Sequence, residues 1–124
     1  MHIQIESRNL NSIISYNESQ LMINHIIYKD SLIISKHNII SPWPIHSLTE
    51  LTENAILPMI QQNPEVILFG HSQLGEQLPL DIQLELSKQH IGFESMPIGA
   101  ACRTFNVLLS ESRNCVIGVI LEKK

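Results

Sequence analysis

Two continuous apolar runs, "EVILFG" at residues 65–70 and "CVIGVIL" at residues 115–121, constrain the fold of this chain most strongly. Uninterrupted apolar runs of this length, bounded by Pro64 and Gly70 in the first case, are typical of strands covered on both faces. Between them lie a segment with helical composition (79–92), a short strand "GFESM" (92–96) and a second helical segment (98–110). Residues 65–121 therefore predict a β-α-β-α-β unit, in which the helices connect parallel strands.

Segment 79–92 carries two conflicting patterns. Its apolar residues alternate with polar ones, which is the period of a strand; they are Leu80, Ile82, Leu84 and Leu86. However, Pro79 suits a first helical position, Gly92 suits a helix C-cap, and the segment is rich in good helix formers. We predict a helix.

The first half of the chain predicts short strands. The segments 20–28, 31–35 and 37–43 are rich in isoleucine, and Lys29-Asp30 is short and polar enough to form a hairpin between the first two. Pro42-Trp43-Pro44 should end this meander, because proline cannot donate to a ladder. Trp43, the single tryptophan, is expected to anchor the core.

A helix should follow the meander, with two candidate starts. Ser47 and Glu50 fit a capping box, and Thr52 followed by Glu53 offers a second start. Pro58 favours the start at Thr52, because proline is tolerated best near a helix's first turn. Together the elements predict an α/β fold: a single three-layer domain over residues 1–124 with a central mixed β-sheet, in which the first-half strands extend or flank the main sheet.

Composition excludes several classes of protein. The formal charge of −4 argues against nucleic acid, which requires a basic surface. No apolar run approaches the length of a bilayer span, so we expect no integral membrane protein, and the N-terminus lacks the order of a secretory signal, which predicts a cytoplasmic location. Two cysteines without a C-x-x-C motif and six scattered histidines predict free thiols, no metal site and no cofactor.

Candidate functional residues lie where two predicted strands end. Gly70, His71 and Ser72 follow the first buried strand, and the segment from Pro97 to Cys102 follows "GFESM". In open α/β sheets, ligands bind beyond the carboxyl ends of the strands. If the two strands are neighbours, His71, Ser72 and Cys102 can share one crevice.

Three interpretations of Cys102 and Arg103 stay open. Cys102 could be a nucleophile in a helix's first turn, with His71 as its base. The helix start and Arg103 could bind an anion. The third interpretation, which we favour, is packing: "GAAC" is a row of small residues that allows a helix to approach the sheet. Arg103 and Glu111 could also form an ion pair, and Thr104 and Asn106 should be hydrogen-bonded if buried.

The chain resembles a family of small α/β domains of unknown function, which includes mitochondrial complex I assembly factor 3 and the adipogenesis-associated domain protein. The resemblance covers roughly residues 20–121. It is strongest at Met96, Ala100, Ala101, Cys102, Arg103, Thr104, Asn106, Leu108, Glu111 and Arg113. Two positions depart from the family pattern, because Ser72 and Ser112 stand where glycine is usual. A turn that needs positive φ near Ser112 should then be made through Asn114.

The resemblance implies a three-layer fold with a central mixed sheet and no established reaction, and its mitochondrial member acts through protein partners during assembly of a membrane complex. We therefore expect a non-catalytic protein-interaction domain that works in assembly of a membrane-bound respiratory complex. The alternative is a small-molecule or anion-binding protein, or a thiol enzyme, that uses the crevice near Gly70, His71, Ser72 and Cys102. Unpaired strand edges in "QLMINHII" also predict that two chains can pair as a homodimer.

Overall fold

The computed structural model describes residues 3–6, 10–73 and 75–122, which form nine strands and three α-helices. The strands are β1 (Ile3–Glu6), β2 (Ile13–Tyr16), β3 (Leu21–Ile23), β4 (Ile26–Tyr28), β5 (Leu32–Ile34), β6 (Asn38–Ser41), β7 (Val66–His71), β8 (Gly92–Pro97) and β9 (Cys115–Val119). The helices are α1 (Glu53–Ile60), α2 (Leu80–Lys88) and α3 (Ile98–Ser110), and a single turn of 3₁₀ helix covers Leu48–Glu50.

Six strands form a mixed central sheet in the order β1-β6-β5-β9-β7-β8. The first four strands in this order, β1, β6, β5 and β9, pair antiparallel with one another. The strand β7 pairs parallel with β9 on one side and with β8 on the other. The helices α2 and α3 are the crossovers that these parallel pairs require. The remaining strands form a separate antiparallel sheet, β2-β3-β4, which we call the small sheet. The predicted mixed sheet and its β-α-β-α-β unit are confirmed.

Each face of the central sheet buries its own core, which makes three layers. Along β7, Ile67 and Phe69 face the core that contains α1, α2 and Trp43, while Leu68 faces the core built with α3 and the small sheet. Trp43 is buried, and its indole Nε1 donates to the carbonyl of Ala55 at 3.0 Å. The predicted role of Trp43 as a core anchor is confirmed.

The predicted hairpin at Lys29-Asp30 is wrong. The turn lies earlier, at Asn24-His25, where both residues have positive φ (50° and 68°) and connect β3 to β4. Tight two-residue hairpins need this conformation, and asparagine tolerates it. The strand predicted over 20–28 is therefore two strands, and the link at 29–31 carries the chain from the small sheet to the central sheet.

Of the two candidate starts, the one at Thr52 begins α1. The Thr52 hydroxyl accepts from the N–H of Ala55, and Pro58 lies inside the helix. The start at Ser47 produces only the 3₁₀ turn, where the Glu50 carboxylate accepts from the N–H of Ser47 at 2.8 Å.

The predicted helix over 79–92 is confirmed, but Gly92 is not its cap. Gly92 begins β8, and the chain leaves α2 through His90, which takes a φ of 60°. The turn after α3 is similar, because Ser112 itself adopts a φ of 58°, so the expectation that Asn114 replaces it is wrong. In both turns a non-glycine residue occupies a conformation that glycine usually supplies.

Candidate functional site

A cleft of about 910 Å³ opens beyond the carboxyl ends of β7 and β8, where α3 begins. His71 and Pro97 are register partners in the parallel ladder, so the last residue of β7 lies next to the residue that precedes α3. The turn between β2 and β3 forms the opposite wall. The lining residues are Tyr16, Asn17, Glu18, Ser19, His71, Ser72, Gln73, Gly75, Glu76, Ser95, Met96, Pro97, Ile98 and Gly99.

His71 is the most buried polar side chain of the cleft, with 8% of its surface exposed. Its Nδ1 accepts from the backbone N–H of Gln73 at 3.2 Å. Burial lowers the pKa of His71, and the nearby carboxylate of Glu76 opposes this effect. The ring is therefore neutral near pH 7, and its proton lies on Nε2.

The segment after β7 is held to two distant parts of the chain. The Ser72 hydroxyl donates to the Glu122 carboxylate at 2.9 Å. The Gln73 side-chain oxygen accepts from the N–H of Leu48 at 2.9 Å. Serine thus forms a bond here that glycine, usual in the resembled family, cannot form.

Cys102 does not lie in the cleft. Its side chain is buried in the core on the α3 face of the sheet, and burial raises the pKa of its thiol to about 12, with Arg103 opposing the shift. Such a thiol supplies no thiolate near pH 7, and no contact with His71 occurs. The interpretation of Cys102 as a nucleophile with His71 as its base is therefore wrong, because the thiol is buried away from the cleft.

Small residues explain the position of α3 instead. A Cβ added at Gly70 would lie 3.0 Å from the Cβ of Ala101 and 3.4 Å from the Cα of Ile98. The first turn of α3 thus packs almost directly on the backbone of β7. Gly70, Ile98 and Ala101 form this contact, and Cys102 is buried in the same core. Within the "GAAC" segment, Ala101 and Cys102 therefore pack in the core, whereas Gly99 faces Tyr16 and Arg103.

Arg103 lies at the rim of the cleft. Its Nη1 donates to the hydroxyl of Tyr16 at 2.8 Å, and the side chain is exposed. The expected pair with Glu111 does not form. Among the described residues, the ion pair joins Arg113 to Glu65 at 3.8 Å, at the opposite end of the sheet.

Of the two polar motif residues within α3, Thr104 bonds inside the helix and Asn106 connects the helix to β2. The Thr104 hydroxyl donates to the carbonyl of Ala100 at 2.8 Å, with the sulfur of Met96 3.7 Å away. The Asn106 side chain accepts from the N–H of Ile13 at 2.8 Å and donates to the carbonyl of Ile13 at 3.0 Å. The predicted hydrogen-bonded role of both polar residues is confirmed, and Asn106 completes the edge of the small sheet.

The outer face of the small sheet exposes a row of apolar side chains. Met22, which is half-buried, pairs with Ile27 on β4 and with Ser15 on β2, where Ile14 is the extra residue of a bulge. Ile14 and Ile27 are 55% and 47% exposed, and Ile26 beside the hairpin turn is 49% exposed. We call Ile14, Met22 and Ile27 the apolar row; it crosses all three strands.

The sequence predicted that His71 and Ser72 lie at the cleft, but it did not predict the residues of the opposite wall. Tyr16, Asn17 and Glu18 come from a turn that the sequence could have revealed, because the Asn17 side chain accepts from the N–H groups of Ser19 and Gln20. Asparagine is a usual first residue of a turn, because its side chain can accept from the backbone two residues on. In the ranges that the structure describes, histidine, cysteine and acidic side chains form no cluster of three that could hold a metal.

These features define a three-layer α/β protein with a mixed sheet and a cleft where its parallel strands end. The chain belongs to the family described as "Protein of unknown function (DUF498/DUF598)", which matches residues 13–120. This confirms the predicted membership of an α/β family of unknown function.

Comparisons with individual proteins agree with this assignment. The chain is 27% identical over 105 residues to the "13 kDa major membrane protein" of Francisella tularensis, covering 82% of this chain and 85% of the relative. A solved structure from Xanthomonas campestris is 28% identical and superposes with a TM-score of 0.81, covering 89% and 83% of the two chains. An outer membrane protein from Bartonella henselae, 24% identical, shares the fold with a TM-score of 0.79, covering 96% and 99%. No helix in the described part of this chain is long and apolar enough to cross a bilayer.

Proposed function

We propose that this protein is a non-catalytic binding domain that docks a partner protein on the apolar row of its small sheet. The observation that carries the proposal is the position of two exposed isoleucines, Ile14 and Ile27, on either side of the half-buried Met22 on the outer face of the small sheet. Single exposed isoleucines are common on proteins, but a contiguous apolar row is typical of an interaction surface. The flat, β-branched surface of a sheet suits apolar side chains from a strand or helix of a partner.

A protein surface is a better occupant of the row than a lipid surface. The chain has a net charge of −4, and anionic lipid headgroups attract basic rather than acidic proteins. Relatives named as membrane proteins support a partner that resides at a membrane. The resemblance to complex I assembly factor 3 supports the same proposal in a finer form, in which the partner is a subunit of a membrane-bound respiratory complex during assembly. A cytoplasmic location stays a prediction.

The test compares two double variants of the full chain. I14S/I27S removes the two exposed isoleucines of the apolar row. As the control, L80S/L84S removes two apolar side chains on α2 that are even more exposed (69% and 61%). Each variant is captured from the native cell, and its partners are identified by mass spectrometry. We expect the wild type and the control to recover the same partner and I14S/I27S to lose it, with reduced assembly of the membrane complex.

Three other results would overturn this proposal. Vesicles of phosphatidylethanolamine and phosphatidylglycerol that float the wild type but not I14S/I27S would assign the row to a membrane surface. A concentration-dependent dimer, seen by sedimentation and abolished by I14S/I27S, would assign it to a second copy. Equal capture of a partner by I14S/I27S and wild type would place the docking surface elsewhere.

A further inference from the structure

The first turn of α3 opens into the cleft without a side-chain cap. Pro97 precedes the helix and has no side-chain acceptor, and Ile98 and Gly99 both line the cleft. The first N–H groups of a helix have no intrahelical partner, and they carry the positive end of the helix dipole. Because uncapped helix starts are common, this one indicates a binding site only together with the residues around it.

His71 supplies an independent observation. The residue is 8% exposed, lines the cleft, and uses Nδ1 as the acceptor for the Gln73 N–H. The Nε2–H group has no acceptor within residues 10–73 and 75–122. Because it faces the solvent of the cleft, this N–H can donate to a group that binds there. The ladder pairing of His71 with Pro97 places this donor beside the start of α3.

Arg103 adds a cation at the same place. It lies one helical turn after Gly99, and its side chain reaches back over the first turn. A Cβ at Gly99 would lie 3.2 Å from its Nη1 and 3.0 Å from Cε1 of Tyr16. The bond from Arg103 to the Tyr16 hydroxyl fixes the guanidinium there, and no carboxylate of the described residues pairs with it. Its remaining N–H groups stay available to a ligand.

We propose that the cleft binds the anionic group of a small molecule, a carboxylate or a phosphate, at the first turn of α3. The backbone N–H groups of the first turn and Nε2–H of His71 donate to its oxygens, and Arg103 neutralises its charge at the rim. Such an arrangement of helix N–H groups and a guanidinium is well suited to both anions. This site is separate from the apolar row, so the proposal of an anion site does not depend on the proposal of a partner protein.

The acidic residues of the cleft restrict the rest of the ligand. Glu18 and Glu76 also line the cleft and are exposed, and the Glu122 carboxylate lies at the same rim, where it accepts from Ser72. Their charges repel a polyanion but tolerate a neutral or cationic group beyond the bound anion. The ligand class is thus a small monoanionic or zwitterionic compound.

The experiment is a titration of the ¹⁵N-labelled full chain followed by NMR. Inorganic phosphate, acetate and pyrophosphate are the probes, and chloride at matched ionic strength is the reference. We expect phosphate or acetate to give saturable shifts at the amides of Ile98 and Gly99 and at the His71 ring, with weaker binding of pyrophosphate. R103Q should weaken the affinity about ten-fold, the effect of losing one charge-assisted hydrogen bond.

R113Q is the matched control, because Arg113 is also exposed but lies at the opposite end of the sheet. It should bind the probes as the wild type does, and the spectra of both variants report whether they fold. Saturation by phosphate alone would assign a phosphate ligand, and saturation by acetate would assign a carboxylate. Shifts that increase linearly with every salt, that chloride reproduces, or that saturate in R103Q with the affinity of the wild type would overturn the proposal.

Discussion

Cys102 follows the N-terminal turn of α3 and is adjacent to an arginine, yet its thiol is enclosed in the core. Burial raises the pKa of Cys102 and of Cys115 to about 12, so both thiols stay protonated under ordinary conditions. We predict that iodoacetamide at pH 8 modifies neither cysteine in the native protein and both in concentrated urea. Mass spectrometry of the time course checks this. Rapid native labelling of Cys102 would mean that its thiol is accessible and reactive.

His71 should make the stability of the fold depend on pH. Burial lowers its pKa in the folded chain, whereas the unfolded chain has the ordinary value of about 6.5. The unfolded state therefore binds more protons below that value, and the free energy of unfolding should fall as the pH decreases through 6.5. Urea unfolding between pH 8 and pH 5 checks this. His71→Gln should flatten the dependence, since the other histidines are unchanged; parallel curves would contradict the assignment to His71.

Gly118 is the glycine at which neighbouring side chains lie closest to the backbone. A Cβ at this position would lie 2.7 Å from two ring atoms of Trp43 and 3.0 Å from the terminal carbon of Met59. The indole cannot move away without losing its bond to Ala55. We predict that Gly118→Ala costs about 1–3 kcal/mol, in the range of overpacked cores. Chemical unfolding measures the loss, and Trp43 fluorescence should shift with it. A neutral effect would mean that the ring layer adapts freely.

At the scale of elements, α2 shows why its sequence resembles a strand. The alternation combines two helical pairs with a spacing of four residues: Ile82 and Leu86 are buried, while Leu80 and Leu84 are exposed. Over nine residues, the alternation of a strand and two helical stripes with i,i+4 spacing produce the same sequence of apolar and polar residues. The flanking residues and the good helix formers correctly favoured a helix over a strand. Amino-acid composition is evidence that does not depend on the hydrophobic period.

The two stripes of α2 give a matched prediction. Leu86→Ala should cost about 2–5 kcal/mol, because it leaves a cavity in a packed core. Leu84→Ala, on the same helix with the same change in side chain, should alter the free energy of unfolding by less than about 0.5 kcal/mol. Urea unfolding of the two variants measures both values. Similar losses would mean that the exposed stripe is covered in solution.

The elements that sequence reasoning missed are those held by contacts distant in the chain. The strand β2 has a bulge at Ile14 and is completed by Asn106 of α3, so its local pattern is broken and its partner lies 93 residues away. The hairpin turn at Asn24-His25 depends on positive φ at two residues that are not glycine. In contrast, α3 was predicted over its full length, because packing, composition and flanking residues agree there.

At the scale of the whole molecule, half of the candidate site was predictable. His71, Ser72 and the start of α3 follow from one rule, that parallel strands end at the same edge of a sheet. The wall formed by Tyr16, Asn17 and Glu18 belongs to the small sheet. Where that sheet docks depends on the packing of Ile13, Leu21 and neighbouring apolar residues against α3, and local sequence does not encode this contact.

The attachment of the small sheet to the rest of the molecule rests partly on Asn106. Its side chain pairs both backbone groups of Ile13, the residue of β2 whose register partner on β3 is Ile23. Asn106→Ala would leave these groups unpaired, although alanine is the better helix former. We predict a loss of about 1–3 kcal/mol, confined to the small sheet.

Hydrogen exchange distinguishes this local effect from a global one. In Asn106→Ala, the amides of Ile13, Leu21 and Ile23 should lose protection, while those of Ile67 and Leu68 in the central sheet keep it. Val107→Ala, at the next and exposed position of α3, should leave both sets unchanged. Equal loss of protection in both sheets would mean that they unfold as one unit. A local loss would mean that the small sheet, which carries both the apolar row and one wall of the cleft, can move relative to the central sheet.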